Sequence, residues 1–346
     1  MSAMIPHSRP CFDAADEAAV CATLRAGFVT HGDAARPLGA AGAAVMGKRW
    51  GIAVESGTAA IAAALRLLGA GPGARVALPA YMCDAALDAC ALLGAEPVFV
   101  DVAAATLAID PGKVNAEKGL AAVVAAHLFG VPAPVDAIDA APVVEDCAQT
   151  LGVPAGGRPA GGHGVLSIAS FYGTKLLAAG HGGLLAGDAA AHEEAAWSLF
   201  LHDKIEVWRP HFHCLMADLA AALALSQLAK LESFLAARRA LAARFSEALG
   251  EEIRPGCAYS RFVVIADDAA AMIARFRAEG IEAKPPVHKA AALAYGIAAD
   301  AVPVAAWAQR HLVSVPLYPA LAEAERAHIA AFLRKHAHAL RCWPPA

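Results

Sequence analysis

No two of the eight cysteines, at positions 11, 21, 83, 90, 147, 214, 257 and 342, stand in a C-x-x-C pair. That excludes the usual zinc spacing and a disulfide framework, and it predicts a reduced, cytoplasmic protein without a metal site. Basic clusters are absent as well: the formal net charge is −4, and lysines and arginines are scattered. A nucleic-acid partner would need the opposite pattern. The longest apolar stretch, GLAAVVAAHLFGV at 119–131, holds a histidine and is too short to cross a bilayer, so no membrane partner is expected. No charged segment followed by an apolar one opens the chain, which argues against export. Internal repeats and low-complexity linkers are missing too.

What is present is a large alanine-rich core. The 346 residues are 58% hydrophobic, enough for one large domain and a smaller one. From about residue 50 to 190, short apolar runs alternate with helical patterns. The runs are 51–55, 75–79, 97–101, 121–127, 141–146, 165–171 and 182–188, with helices predicted over 57–69 and 84–94. Runs buried on both faces and separated by helices imply an α/β layer architecture with a mostly parallel sheet. Residues 216–249 read as one long helix closed by a C-terminal glycine. Beyond it come strand (260–266), helix (267–279), strand (281–288) and terminal helices, a smaller α+β unit. The division expected is 1–235, with the N-terminal segment and connecting helix, and 236–346.

Lys175 carries the most chemical information. It sits in SFYGTKLLAAGHGG (170–183), after an apolar run and before a glycine-rich turn, in a segment almost free of charge. Upstream, the run APVVED ends in Glu145 and Asp146. Adjacent strand residues point to opposite faces, so only one of these acids can look into a given site. A lysine able to form an imine and an acid able to keep a ring nitrogen protonated are what pyridoxal phosphate (PLP) needs from a protein. Open α/β sheets also bind ligands at the carboxyl ends of their strands, where both residues fall. Gln149 lies close enough in sequence to reach a neighbouring ring substituent.

Ser56-Gly57-Thr58 opens the helix GTAAIAAAL straight after a strand. Backbone N–H groups there suit a phosphate, although Ser and Thr are also ordinary helix caps. The run GAGPGA (69–74) follows a helix and precedes a strand, the reverse of a dinucleotide loop, and is read as a turn. His202, His211 and His213 have no metal-type spacing with acids or thiols and are read as loop or interface residues.

In order along nearly the whole chain, these segments resemble the DegT/DnrJ/EryC1/StrS family of sugar aminotransferases. The resemblance runs through IPHSRPCFDAADEAAV (5–20), VESGTAAIAAAL (54–65), LPAYMC (78–83), VEDCAQTLG (144–152), SFYGTKLLAAGHGG (170–183), KPPVHK (284–289) and VSVPLYPAL (313–321). It implies the PLP-dependent fold type I: a large domain with a mostly parallel seven-stranded sheet and a smaller α+β C-terminal domain. It also implies a homodimer with sites at the subunit interface. The implied activity moves an amino group from an amino acid, usually glutamate, to a keto sugar linked to a nucleotide.

By the same resemblance Lys175 is the Schiff-base lysine and Asp146 the partner of the pyridine nitrogen. Gln149 lies near the ring hydroxyl, and Ser56, Gly57, Thr58 and Ser170 cradle the phosphate. Tyr81 and Cys83 fall beside the ring, where the family often has a stacked aromatic. His213 belongs to the cofactor set, and His288 and Tyr318 to the substrate side. Related dehydratases carry histidine at the imine position, so lysine favours transamination.

Three departures stand out. His213 and Leu215 replace an Asn and an Arg that help bind anions across the dimer. Cys83 aligns with the stacked aromatic, and His181 occupies a position where an acid is common. These leave open a PLP enzyme acting on a non-sugar ketone or performing elimination, and a non-catalytic PLP-binding regulatory homologue.

Overall fold

Short runs of Val, Ile, Leu and Ala, closed to water on both faces, become the strands of one sheet. In the computed structural model, which describes residues 4–201, 207, 208 and 210–344, seven strands make it up. They are β1 (Trp50–Val54), β2 (Arg75–Pro79), β3 (Glu96–Val100), β4 (Leu120–Ala126), β5 (Val143–Asp146), β6 (Leu166–Ser170) and β7 (Gly183–Gly187). Their order is β1-β7-β6-β5-β4-β2-β3. The pairs from β6 through to β3 are parallel, and β7 is antiparallel to β6 and β1. The carboxyl ends of β1, β5 and β6 therefore share one edge of the sheet, together with the amino end of β7.

The helix Gly57–Leu67 aims its first turn at that edge. Ala60 to Leu65 are all buried, as expected of a helix apolar on every side. It packs on β6, β7 and the helix Ala85–Leu93. Burying Ile61 and Leu65 stabilises this placement by roughly 1.5–3 kcal/mol each.

Alternation along β5 separates its two acids as the sequence implied. Glu145 turns into the core at 0% exposure, while Asp146 faces the strand-end cleft. Glu145 accepts N–H groups from Gly161 (2.9 Å), His163 (2.7 Å) and Gly164 and lies 3.0 Å from His127 Nε2. The Ala133 N–H donates to His127 Nδ1 at 2.7 Å, so the imidazole carries its proton on Nε2 and gives it to Glu145. Burial pushes the Glu145 carboxyl up, but these donors outweigh it and hold it down to about 2. Cys147 completes a buried trio of metal-type ligands, yet donors already occupy the carboxylate, so His127 and Glu145 knit the ends of β4 and β5 to the 161–164 turn.

Because this carboxyl is depressed in the folded state, its contribution is present above an unfolded value near 4.5 and lost as pH falls towards 2. Glu145→Gln would aim an amide N–H at main-chain donors. It should cost about 2 kcal/mol in denaturant melts at neutral pH, with the difference from wild type shrinking below pH 4.

The second sheet is antiparallel: β8 (Phe262–Ile265) lies between β9 (Leu312–Val315) and β10 (Arg341–Trp343). Residues 281–288 were expected to be a strand and are not one. Ile281 bridges Ile5 and Lys284 bridges Ser314, but Pro285 and Pro286 have no N–H to continue a ladder. The expected single helix over 216–249 is two, Asp218–Leu228 and Leu231–Leu249, bent by 59°. At the break Lys230 leaves helical geometry (φ −102°, ψ 3°), and its ammonium reaches Asp13 at 3.0 Å and Asp16 at 2.5 Å. The bend lets the first helix pack on Ala14–Ala26 and the second on Glu323–Lys335. Among the described residues no single helix is long and apolar enough to cross a membrane.

Candidate active site

Asp146 ends β5 with its Oδ1 accepting the Ala148 N–H at 2.9 Å. That bond fixes the carboxylate plane and leaves Oδ2 without a partner among the described residues. β6 ends at Ser170, and the chain returns to β7 through a tight loop. Within it the Lys175 N–H donates to the Tyr172 carbonyl (2.8 Å), Ala179 N–H to Phe171 (2.8 Å), and Phe171 N–H to Gly182 (2.9 Å). The loop presents the half-buried Lys175 side chain to the cleft with no carboxylate paired to it among the described residues. Tyr172 and His181 pack edge to face across the loop, ring centroids 5.5 Å apart.

The third element is the N-terminus of Gly57–Leu67. Ser56 Oγ caps it by accepting the Ala59 N–H at 3.1 Å, and the first main-chain helix bond runs from Ala60 N–H to the Ser56 carbonyl at 3.0 Å. The Gly57 and Thr58 N–H groups precede that bond and lie at the positive end of the helix. Space there is tight, since a Cβ on Gly57 would stand 3.0 Å from Ser170 Cβ and 3.3 Å from its Oγ. Gly57 thus keeps open the slot between helix and Ser170 that an anion would fill. Gly57→Ala should raise the dissociation constant for PLP about tenfold, equivalent to 1.4 kcal/mol, leaving the spectrum at saturation unchanged. Fluorescence titration of the apoprotein would measure it.

The cleft, about 320 Å³, is lined by Ser56, Gly57, Thr58, Cys83, Asp146, Ser170 and Lys175, and also by Tyr172 and His181. Its size suits a small cofactor, and its donor set fits PLP: an anion slot, a free amine and a carboxylate.

The remaining candidates lie elsewhere. Tyr81 is fully buried, edge-on to Phe129 at 6.4 Å. Gln149 Oε1 accepts from the Phe129 N–H (2.9 Å) and the Ser260 hydroxyl (3.2 Å), tying the segment after β4 to the one before β8. His213 and His288 are exposed, and the His288 carbonyl accepts from Gln309 at 3.3 Å. Tyr318 lines a neighbouring cavity that also reaches Lys175. His202 lies outside the described residues. Sequence reasoning passed over Tyr172, whose only signal was its place between Ser170 and Lys175.

Comparison with known proteins gives concordant matches. The pattern of the DegT/DnrJ/EryC1/StrS aminotransferase family matches residues 10–334. The aminotransferase TlmJ from Streptoalloteichus hindustanus is 28% identical, with a TM-score of 0.87 over 96% of this chain and 98% of that one. DesV from S. venezuelae, solved with a ketimine intermediate, is 25% identical, with a TM-score of 0.87 over 97% and 99%. A protein of Streptococcus pneumoniae named as a sugar aminotransferase, in its PLP form, shares the fold at 23% identity, with a TM-score of 0.87 over 97% and 99%.

Proposed function

Since the chain belongs to the DegT/DnrJ/EryC1/StrS aminotransferase family, whose members use PLP, we propose that it moves an amino group from an amino acid, glutamate in the first instance, to a nucleotide-linked keto sugar. One observation carries the catalytic part: Lys175, Asp146 and the N-terminus of Gly57–Leu67 face a single cleft. Bound there, PLP supplies an aldehyde and an electron-withdrawing ring. The Gly57 and Thr58 N–H groups and Ser170 would hold the phosphate, and Asp146 would hold a proton on the ring nitrogen. Lys175 would hold the aldehyde carbon covalently until the donor amine displaces it, and would then carry a proton to and from the donor's α-carbon. Cys83, at the mouth of the cleft, would lie beside the ring.

Transfer of label from ¹⁵N-glutamate to a nucleotide-linked keto sugar, read by mass spectrometry, tests the substrates. Cofactor-loaded enzyme that aminates only non-sugar ketones would sink the sugar assignment. A homodimer is part of the proposal. Phe12, Leu24, Phe28 and Val29, on the N-terminal helix and its flanks, are exposed and offer apolar surface to a second copy. Sedimentation at twice the chain mass is the expected result.

A further inference from the structure

A phosphate brings close to two negative charges into a site, and the donors at the sheet edge answer only part of that. The N-terminus of Gly57–Leu67 is worth roughly half a positive charge, and the Ser170 hydroxyl is neutral. Among the described residues the cleft wall holds no arginine, and its one acid, Asp146, carries the wrong sign. Lys175 is a cation there, but its amine is committed to the aldehyde. His181 is then the remaining side chain of the described wall that can carry positive charge.

The fold sets His181 at the phosphate end of the cleft. Gly182 bridges Ser56, and its φ of 145° is one that residues with a Cβ rarely adopt. A Cβ on Gly183 would stand 2.7 Å from the Gly57 nitrogen. Two bare residues therefore run against the start of the helix, and His181 is the first position before them that can hold a side chain. Its N–H donates to the Ala179 carbonyl at 3.0 Å, which closes the turn. Its ring lies edge to face with Tyr172, whose own N–H donates to Ser170 Oγ at 3.4 Å. Main-chain and ring contacts thus tie His181 to both walls of the anion slot, the helix start and Ser170. The imidazole is exposed, and neither ring nitrogen has a hydrogen-bond partner among the described residues, which leaves an N–H for a ligand.

We propose that His181 binds the cofactor's phosphate, adding a charged side-chain donor to the main-chain N–H groups of Gly57 and Thr58. An imidazole donates an N–H in either charge state, and a dianion beside it favours the cation. The consequence is selectivity: the site holds a phosphorylated aldehyde and gains little from the same ring without its phosphate. Tyr172 acts through His181, as the ring that keeps the imidazole over the slot. This deepens the aminotransferase reading and rests on its placement of the phosphate between the helix start and Ser170.

The probes are PLP and pyridoxal, which share the ring and aldehyde but differ in the phosphate, each titrated into the full-length apoprotein by fluorescence. His181→Ala should weaken PLP about 20-fold, within the range of a lost charge-assisted hydrogen bond, and leave pyridoxal unchanged. His181→Lys restores a cation, guards against a folding defect, and should recover most of the loss. Equal PLP affinity in wild type and His181→Ala overturns the proposal. So does an equal loss for both probes, which would place His181 on the ring or in the fold, and so does a His181→Lys protein no better than His181→Ala. Ser170→Ala and borohydride trapping on Lys175 are the controls. PLP binding that weakens in Ser170→Ala but not in His181→Ala condemns this inference alone, whereas no trapping in wild type condemns the aminotransferase assignment beneath it.

Discussion

Lys175→Ala should abolish covalent capture of the cofactor and lower turnover by at least about 10⁴-fold, because one amine serves both as the attachment point and as the proton carrier. The other described lysines are held by partners or exposed. Lys48 is buried on the Gly164 carbonyl and Asp188 (3.0 Å), Lys113 reaches Asp101 at 3.2 Å, and Lys230 is held by Asp13 and Asp16. Lys284 and Lys335 pair with Glu282 and Glu279, each at 3.0 Å, while Lys118 and Lys289 are exposed. Only Lys175, among the described lysines, enters the strand-end cleft. Borohydride reduction followed by peptide mapping should label the 170–183 segment in wild type and nothing in the variant. The variant should still retain PLP through the helix N-terminus and Asp146, which dialysis and the absorbance spectrum would show. Full turnover by Lys175→Ala, or a label on any other peptide, would end this assignment.

The strands of the first sheet were legible because their sequence pattern is made by burial on both faces. RVALP appears unchanged as β2, and the expected 165–171 run contains Leu166–Ser170. The edge that carries Asp146 and Lys175 was legible for the related reason that polar groups there interrupt otherwise apolar sequence. Three features were hidden. β9 follows the helix Pro303–His311 with no turn between them, so no glycine or proline punctuation marks the change. β10 is three residues long, too short for any period to show. The bend at Lys230 depends on Asp13 and Asp16, more than two hundred positions away in sequence. The burial of Arg238 belongs to this last kind. An arginine in a long helix reads as a solvated charge, and only the packing of Leu317 and Ser260 against it removes it from water.

The same geometry fixes what Asp146 should do. Its Oδ1 is committed to Ala148 N–H, so Oδ2 is left to meet a ring nitrogen in the cleft, where a negative charge keeps that nitrogen protonated. An opposite charge at contact distance is worth roughly one to three pKa units. Asp146→Asn keeps the shape and the Ala148 bond but removes the charge. Turnover should therefore fall roughly 10- to 1,000-fold at neutral pH, tenfold per unit, while Lys175 still captures the cofactor. The sign of the pH dependence separates this from a structural fault. With its nitrogen easier to deprotonate, the variant should regain activity as pH falls, narrowing its gap to wild type. A variant merely destabilised would show no such narrowing down to about pH 5, because Glu145, on the other face of β5, keeps its full hold until pH falls below about 4.5. Wild-type kinetics in Asp146→Asn would mean that some other acid holds the ring proton.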